Sequence, residues 1–155
     1  MIQIFDDHKG DEFFDIGEMI SVSTYHLDAE ERVPGLKGRA VDWDHWYKSW
    51  AAMASGESYL IPTHLKIIAV DGRTAVIPWD RLRDAMFVYE TPENGTLETI
   101  QFVVPGEDER MNLPNVMQLN MIYNMELSGE PEYGRVDEAN TANPLFSEAK
   151  GGMAK

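Results

Sequence analysis

The sequence predicts an α+β fold, mainly β: a small antiparallel barrel or sandwich of about six to seven strands, one amphipathic helix near residues 42–54, and an extended C-terminal arm. Three observations carry that prediction. Two tight-turn dipeptides, Asp71-Gly72 and Asn94-Gly95, stand between runs rich in β-branched and aromatic residues, the arrangement of two-residue hairpins. A single stretch, residues 43–54, repeats its bulky apolar residues at three- and four-residue spacing, as one face of a helix requires. Beyond residue 127 the chain holds Gly129, Pro131, Gly134, Pro144, Gly151 and Gly152 without sustained periodicity, the composition of an extended tail. One domain over residues 1–127 and an arm over 128–155 follow.

The elements are justified in order. Residues 1–5 alternate weakly and read as an edge strand, and residues 6–10 as a turn. Phe13 and Phe14 are the first bulky anchors, and residues 18–27 alternate as a better strand. Residues 28–39, punctuated by Pro34, Gly35 and Gly38, read as an exposed loop. Asp42 stands in N-cap position for the helix, which Ser55-Gly56 ends. A strand near 59–61 meets Pro62, and residues 65–70 and 74–77 flank the Asp71-Gly72 turn. Residues 79–83 form a helical turn or a crossing segment, and residues 85–89 and 97–104 flank Asn94-Gly95, with Ile100, Phe102 and Val104 facing the core. Residues 117–127 have a helical composition, yet Met117, Leu119, Met121, Tyr123, Met125 and Leu127 occupy every odd position. At 180° per residue these line one face, whereas at 100° they spread round a helix, so a long strand is expected.

Composition bounds the function. With 43% hydrophobic and 26% charged residues the chain reads as an ordinary soluble domain. Thirteen Lys and Arg against 27 Asp and Glu give a net charge of −14, which argues against direct nucleic-acid binding. No apolar run is long enough for a membrane span, and the first residues lack a signal-peptide pattern, so a cytoplasmic location is expected. The absence of cysteine removes disulfides, thiol catalysis and thiolate metal sites. The acidity sits at the ends: residues 1–31 hold nine carboxylates against Lys9 alone, and residues 105–148 hold nine against Arg110 and Arg135. Solubility explains such a layout; so does an acidic surface that docks on a basic partner.

Candidate residues fall into four groups. Trp43, Trp46 and Trp50, joined by Tyr47, share one helix face; that is the pattern of a core stripe, and any part left exposed would be an interface hot spot. Lys66, Arg73, Trp79, Arg81 and Arg83 form a basic island in the near-neutral centre, suited to receiving a carboxylate, a phosphate or the acidic end of another copy. Glu107, Asp108 and Glu109 are a compact acidic cluster, and Tyr133, Val136, Leu145 and Phe146 are the anchors by which the arm would make contacts. The histidines His8, His26, His45 and His64 form no metal spacing, and nucleophile elbows and phosphate loops are missing. No metal or cofactor is expected, and no catalytic residue is assigned. The leading expectation is a non-enzymatic interaction or assembly protein, such as a small virion subunit, that binds a protein partner or itself as a homo-oligomer. An acidic inhibitor seated in a basic nucleic-acid groove of a partner is the second. A small enzyme with a site near His64 or His45 is the third.

Overall fold

The computed structural model describes residues 1–54 and 60–136. It is mainly β, with two sheets and two α-helices, and it is not a closed barrel. The strands are β1 (Ile2–Asp6), β2 (Gly10–Phe14), β3 (His26–Asp28), β4 (Arg39–Asp42), β5 (His64–Ala69), β6 (Arg73–Pro78), β7 (Met86–Thr91), β8 (Gly95–Val103), β9 (Val116–Ile122) and β10 (Glu132–Arg135). The helices are α1 (Ile16–Ser21) and α2 (Trp43–Ala54). Six strands form one sheet in the order β10-β6-β5-β9-β1-β2, and four form the other in the order β3-β4-β7-β8. One pairing breaks the expected antiparallel rule: β1 runs parallel to β9, with Ile4 beside Leu119.

The helix α2 forms as its pattern requires. The Asp42 carboxylate accepts from the His45 amide at 2.8 Å and caps the first turn. Trp43, Trp46, Tyr47 and Trp50 are buried, the indoles of Trp43 and Trp46 stacked at 5.4 Å. Around them one core gathers Ile2 and Ile4 of β1, Leu65 and Ile67 of β5, Phe87 of β7, Ile100 and Phe102 of β8, and Leu119 of β9. Both sheets therefore contribute to it. Ile100, Phe102 and Val104 do face this core.

Several expectations are corrected. Residues 18–27 are not one strand. Asp15 accepts from the Glu18 amide at 2.8 Å while Glu18 accepts from the Asp15 amide at 2.9 Å, a reciprocal cap that starts α1. Ile16, Met19 and Ile20 then turn inward together at helical spacing. The strand at residues 1–5 is interior rather than an edge, because β2 covers one side of it and β9 the other. Residues 28–39 are not a free loop: Leu27, Ala29, Val33 and Leu36 pack on Met86, Val88 and Val103, covering the second face of the smaller sheet. Gly38 permits that approach, since a Cβ there would lie 2.5 Å from the Glu90 carbonyl oxygen. The long strand ends at Ile122, five residues early, because the Thr63 hydroxyl bonds the Ile122 carbonyl at 3.0 Å and the Asn124 amide at 2.9 Å and turns the chain away. Met125 is consequently 86% exposed. Within the region read as an arm, Glu132–Arg135 forms β10, antiparallel to β6, with the anchor Tyr133 opposite Ala75. The expected helix stop at Ser55-Gly56 and the anchors Leu145 and Phe146 lie outside the described residues, as does Tyr59, while Leu60 and Ile61 of the strand expected near 59–61 are not in a strand.

Candidate functional site

Burial decides which candidate residues can meet a partner. Trp43, Trp46 and Trp50 are each exposed by 1% or less. The Trp46 indole N–H donates to the Met19 carbonyl at 2.7 Å, and that of Trp50 to the Glu12 carboxylate at 3.0 Å. The tryptophan face is core, and its edge at Trp43 borders a surface groove. Trp43, Trp79 and Leu82 wall this groove of about 310 Å³ between Asp44, Lys48, Asp80 and Arg83. Trp79 meets Trp43 edge to face at 6.1 Å. The Trp43 indole nitrogen is buried without an acceptor among the described residues. Lys48 is paired with Asp44 at 3.0 Å, whereas Arg83 and Asp80 make no ion pair among the described residues. Members of two separately predicted groups, Trp43 of the helix face and Trp79 and Arg83 of the basic island, thus converge here.

The basic island and the acidic cluster meet in one ion pair, Arg81–Glu107, and their other paired members find partners elsewhere in the chain. Arg81 reaches Glu107 and Glu130, both at 2.9 Å. Arg110 pairs with Asp108 at 2.7 Å, lies over the Tyr133 ring at 3.8 Å from its centroid, and hydrogen-bonds the Tyr133 hydroxyl. Arg110's hydrogen bonds hold the Asp108 carboxyl down to about 2. Arg73 closes on Asp71 at 2.8 Å. Of the acidic triad only Glu109 lacks a cation among the described residues. Lys66 stands on β5 without an ion pair among the described residues, and burial pushes its ammonium below the ordinary lysine value.

The N-terminal hairpin behaves differently. Lys9, the single base among residues 1–31, is turned inside, its side chain 3% exposed. Its ammonium donates to the Leu60 carbonyl at 2.7 Å and to the Tyr123 hydroxyl at 2.9 Å. The buried Asp6 carboxylate lies 4.0 Å away. It also accepts from the Tyr123 hydroxyl at 2.8 Å, the Tyr47 hydroxyl at 3.1 Å, and the amides of His8 and Lys9. Burial, reinforced by Asp6, raises both tyrosine hydroxyls above the usual phenol range. Neither hydroxyl lines the groove beside Trp43. With Lys9 withdrawn, Asp7, Asp11, Glu12, Asp15 and Glu18 have no cation partner among the described residues.

The histidines are held by neighbours. His26 contacts the Tyr89 hydroxyl at 3.0 Å and the Ser23 carbonyl at 2.9 Å; His45 contacts the Ser23 hydroxyl at 2.7 Å. His64 bridges Thr63 and the Ser128 carbonyl, each at 2.8 Å, and His8 packs edge-on against Tyr123. No group of three metal-ligating side chains occurs among the described residues. A second groove, about 530 Å³, is lined by Asp28, Glu30, Lys37, Arg39 and Glu90, with Lys37 paired to Glu30 and Arg39 to Asp28. No helix among the described residues is long and apolar enough to cross a membrane. Comparison with known proteins finds no matching family model, curated protein or solved structure.

Proposed function

We propose that this chain is a non-enzymatic interaction protein that docks on a basic protein partner through its acidic N-terminal hairpin, as a subunit of an assembly of the kind a small virion represents. The observation that carries this reading is the fate of Lys9. Its burial leaves Asp7, Asp11, Glu12, Asp15 and Glu18 without a cation partner among the described residues, whereas Glu107 and Asp108 are neutralised by Arg81 and Arg110. A surface of uncompensated charge steers an oppositely charged partner and repels a like one. The inhibitor reading, centred on residues 107–109, is the weaker because two of those three acids are already paired.

The test is the affinity of a lysine-rich peptide, measured by fluorescence anisotropy at low and high salt. The Asp7→Lys/Asp11→Lys variant should bind about tenfold or more weakly at low salt, while Glu93→Lys/Glu98→Lys, an equal charge change at exposed positions, stays within about twofold. Equal losses in both variants would reduce the effect to net charge and remove the hairpin from the argument.

A further inference from the structure

We infer that the partner binds by adding a strand to the free edge of β2, as an extended segment with a cationic and an apolar side chain two positions apart, on the same face. This rests on the acidic docking just proposed and specifies its geometry. The strand β2 closes one end of the six-stranded sheet, and no described strand covers its outer side. Four of its five residues are exposed, and apart from the ladder with β1 none of them makes a backbone–backbone hydrogen bond among the described residues.

The other open edges offer less. The strand β3 has three residues and β10 has four. The edge of β8 is partly occupied, since Phe102 exchanges backbone hydrogen bonds with Leu113 and the Thr99 hydroxyl donates to the Val116 carbonyl. The β1–β2 ladder is regular from Ile2↔Phe14 to Asp6↔Gly10, without a bulge. The residues Gly-Asp-Glu-Phe-Phe include neither the lysine nor the proline that commonly protects an edge.

The alternation of side chains sets the chemistry of the occupant. Asp11 and Phe13, opposite Phe5 and Gln3, share one face; Glu12 and Phe14, opposite Ile4 and Ile2, share the other. Phe14 is buried against Trp46, and Glu12 is held by the Trp50 indole. On the open face, Phe13 is 57% exposed beside Asp11. An added strand would set a cation next to Asp11 and an apolar side chain next to Phe13, pairs that stabilise neighbouring strands. A second copy of β2 in that place would add two more carboxylates to an edge that already carries Asp11 and Glu12, so the occupant is a different, basic chain.

The experiment uses the full chain and two ten-residue peptides that repeat Lys-Thr-Val-Thr, which sets lysine and valine in turn along one face. One is unmodified; the other is N-methylated at every residue, which keeps charge and side chains and removes each amide donor. The unmodified peptide should bind about tenfold or more tightly than its methylated twin, and amide exchange measured by NMR should slow within β2. Equal, salt-sensitive binding of both peptides, lost in Asp7→Lys/Asp11→Lys, would overturn strand addition and leave the acidic docking standing. Binding by neither peptide would overturn both.

Discussion

Replacing Asp6 by Ala removes the acceptor around which a buried ammonium and two hydroxyls are arranged. The loss is expected to cost about 3–5 kcal/mol, because Lys9 is left charged and poorly compensated. Asp6→Asn keeps an acceptor and should cost less. Urea unfolding of the two variants checks this, and a cost below about 1 kcal/mol for Asp6→Ala would show the network to be dispensable. At this scale the sequence was hardest to read. Asp6 and Lys9 look like ordinary turn residues, because the partners that bury them, Tyr47 and Tyr123, are 41 and 117 positions from Asp6. The reverse holds for Trp43, Trp46 and Trp50, whose burial is written in their helical spacing.

Elements whose signals are local were legible; those fixed by distant partners were not. The α2 cap and stripe, the Asp71-Gly72 hairpin and the Asn94-Gly95 hairpin all depend on neighbours within a few residues, and all formed. The Asp15–Glu18 cap is equally local and went unread, because the alternation of residues 19–27 mimics a strand. The edge β2 offers only Phe13 and Phe14 as apolar residues, and its pairing with β1 selects its conformation. Of the candidate site, the acidity of the hairpin was visible, but Lys9's withdrawal from the surface was not. The loop over the smaller sheet yields a sharp expectation. Gly38 combines φ of +152° with a backbone contact that a Cβ would violate. Gly38→Ala should therefore destabilise by roughly 2 kcal/mol or more. Thermal unfolding followed by circular dichroism measures it, and an unchanged midpoint would mean that the loop yields freely.

For the whole molecule, stability should change in opposite senses at the two ends of the pH scale. Tyr47 and Tyr123 have folded pKa values raised above the unfolded value of about 10. Their contribution is full below that value and declines as pH rises beyond it, because the unfolded chain gives up those protons first. The Asp108 carboxyl is depressed, so its smaller, solvent-screened contribution is present above its ordinary value and is lost as pH falls through about 2. Denaturant unfolding at a series of alkaline pH values should show a decline that is shallower in Tyr123→Phe. An identical slope in that variant would detach Tyr123 from the effect. The fold class was read correctly at this scale as mainly β with helix. The parallel β1–β9 contact escaped, since no local pattern distinguishes a parallel neighbour from an antiparallel one.

That contact has a consequence for how the chain is made. Gln3 and Gln118, which touch across it, are 115 residues apart. During synthesis at about 5–20 residues per second, the N-terminal hairpin waits several seconds or more before β9 has emerged to meet it. Throughout that interval Ile2 and Ile4 lack the strand that helps to cover them, and a chain stopped short of residue 116 never acquires it. Nascent chains of this protein should therefore need protection by a chaperone until late in translation, and the larger sheet should be completed only after its last central strand has left the ribosome.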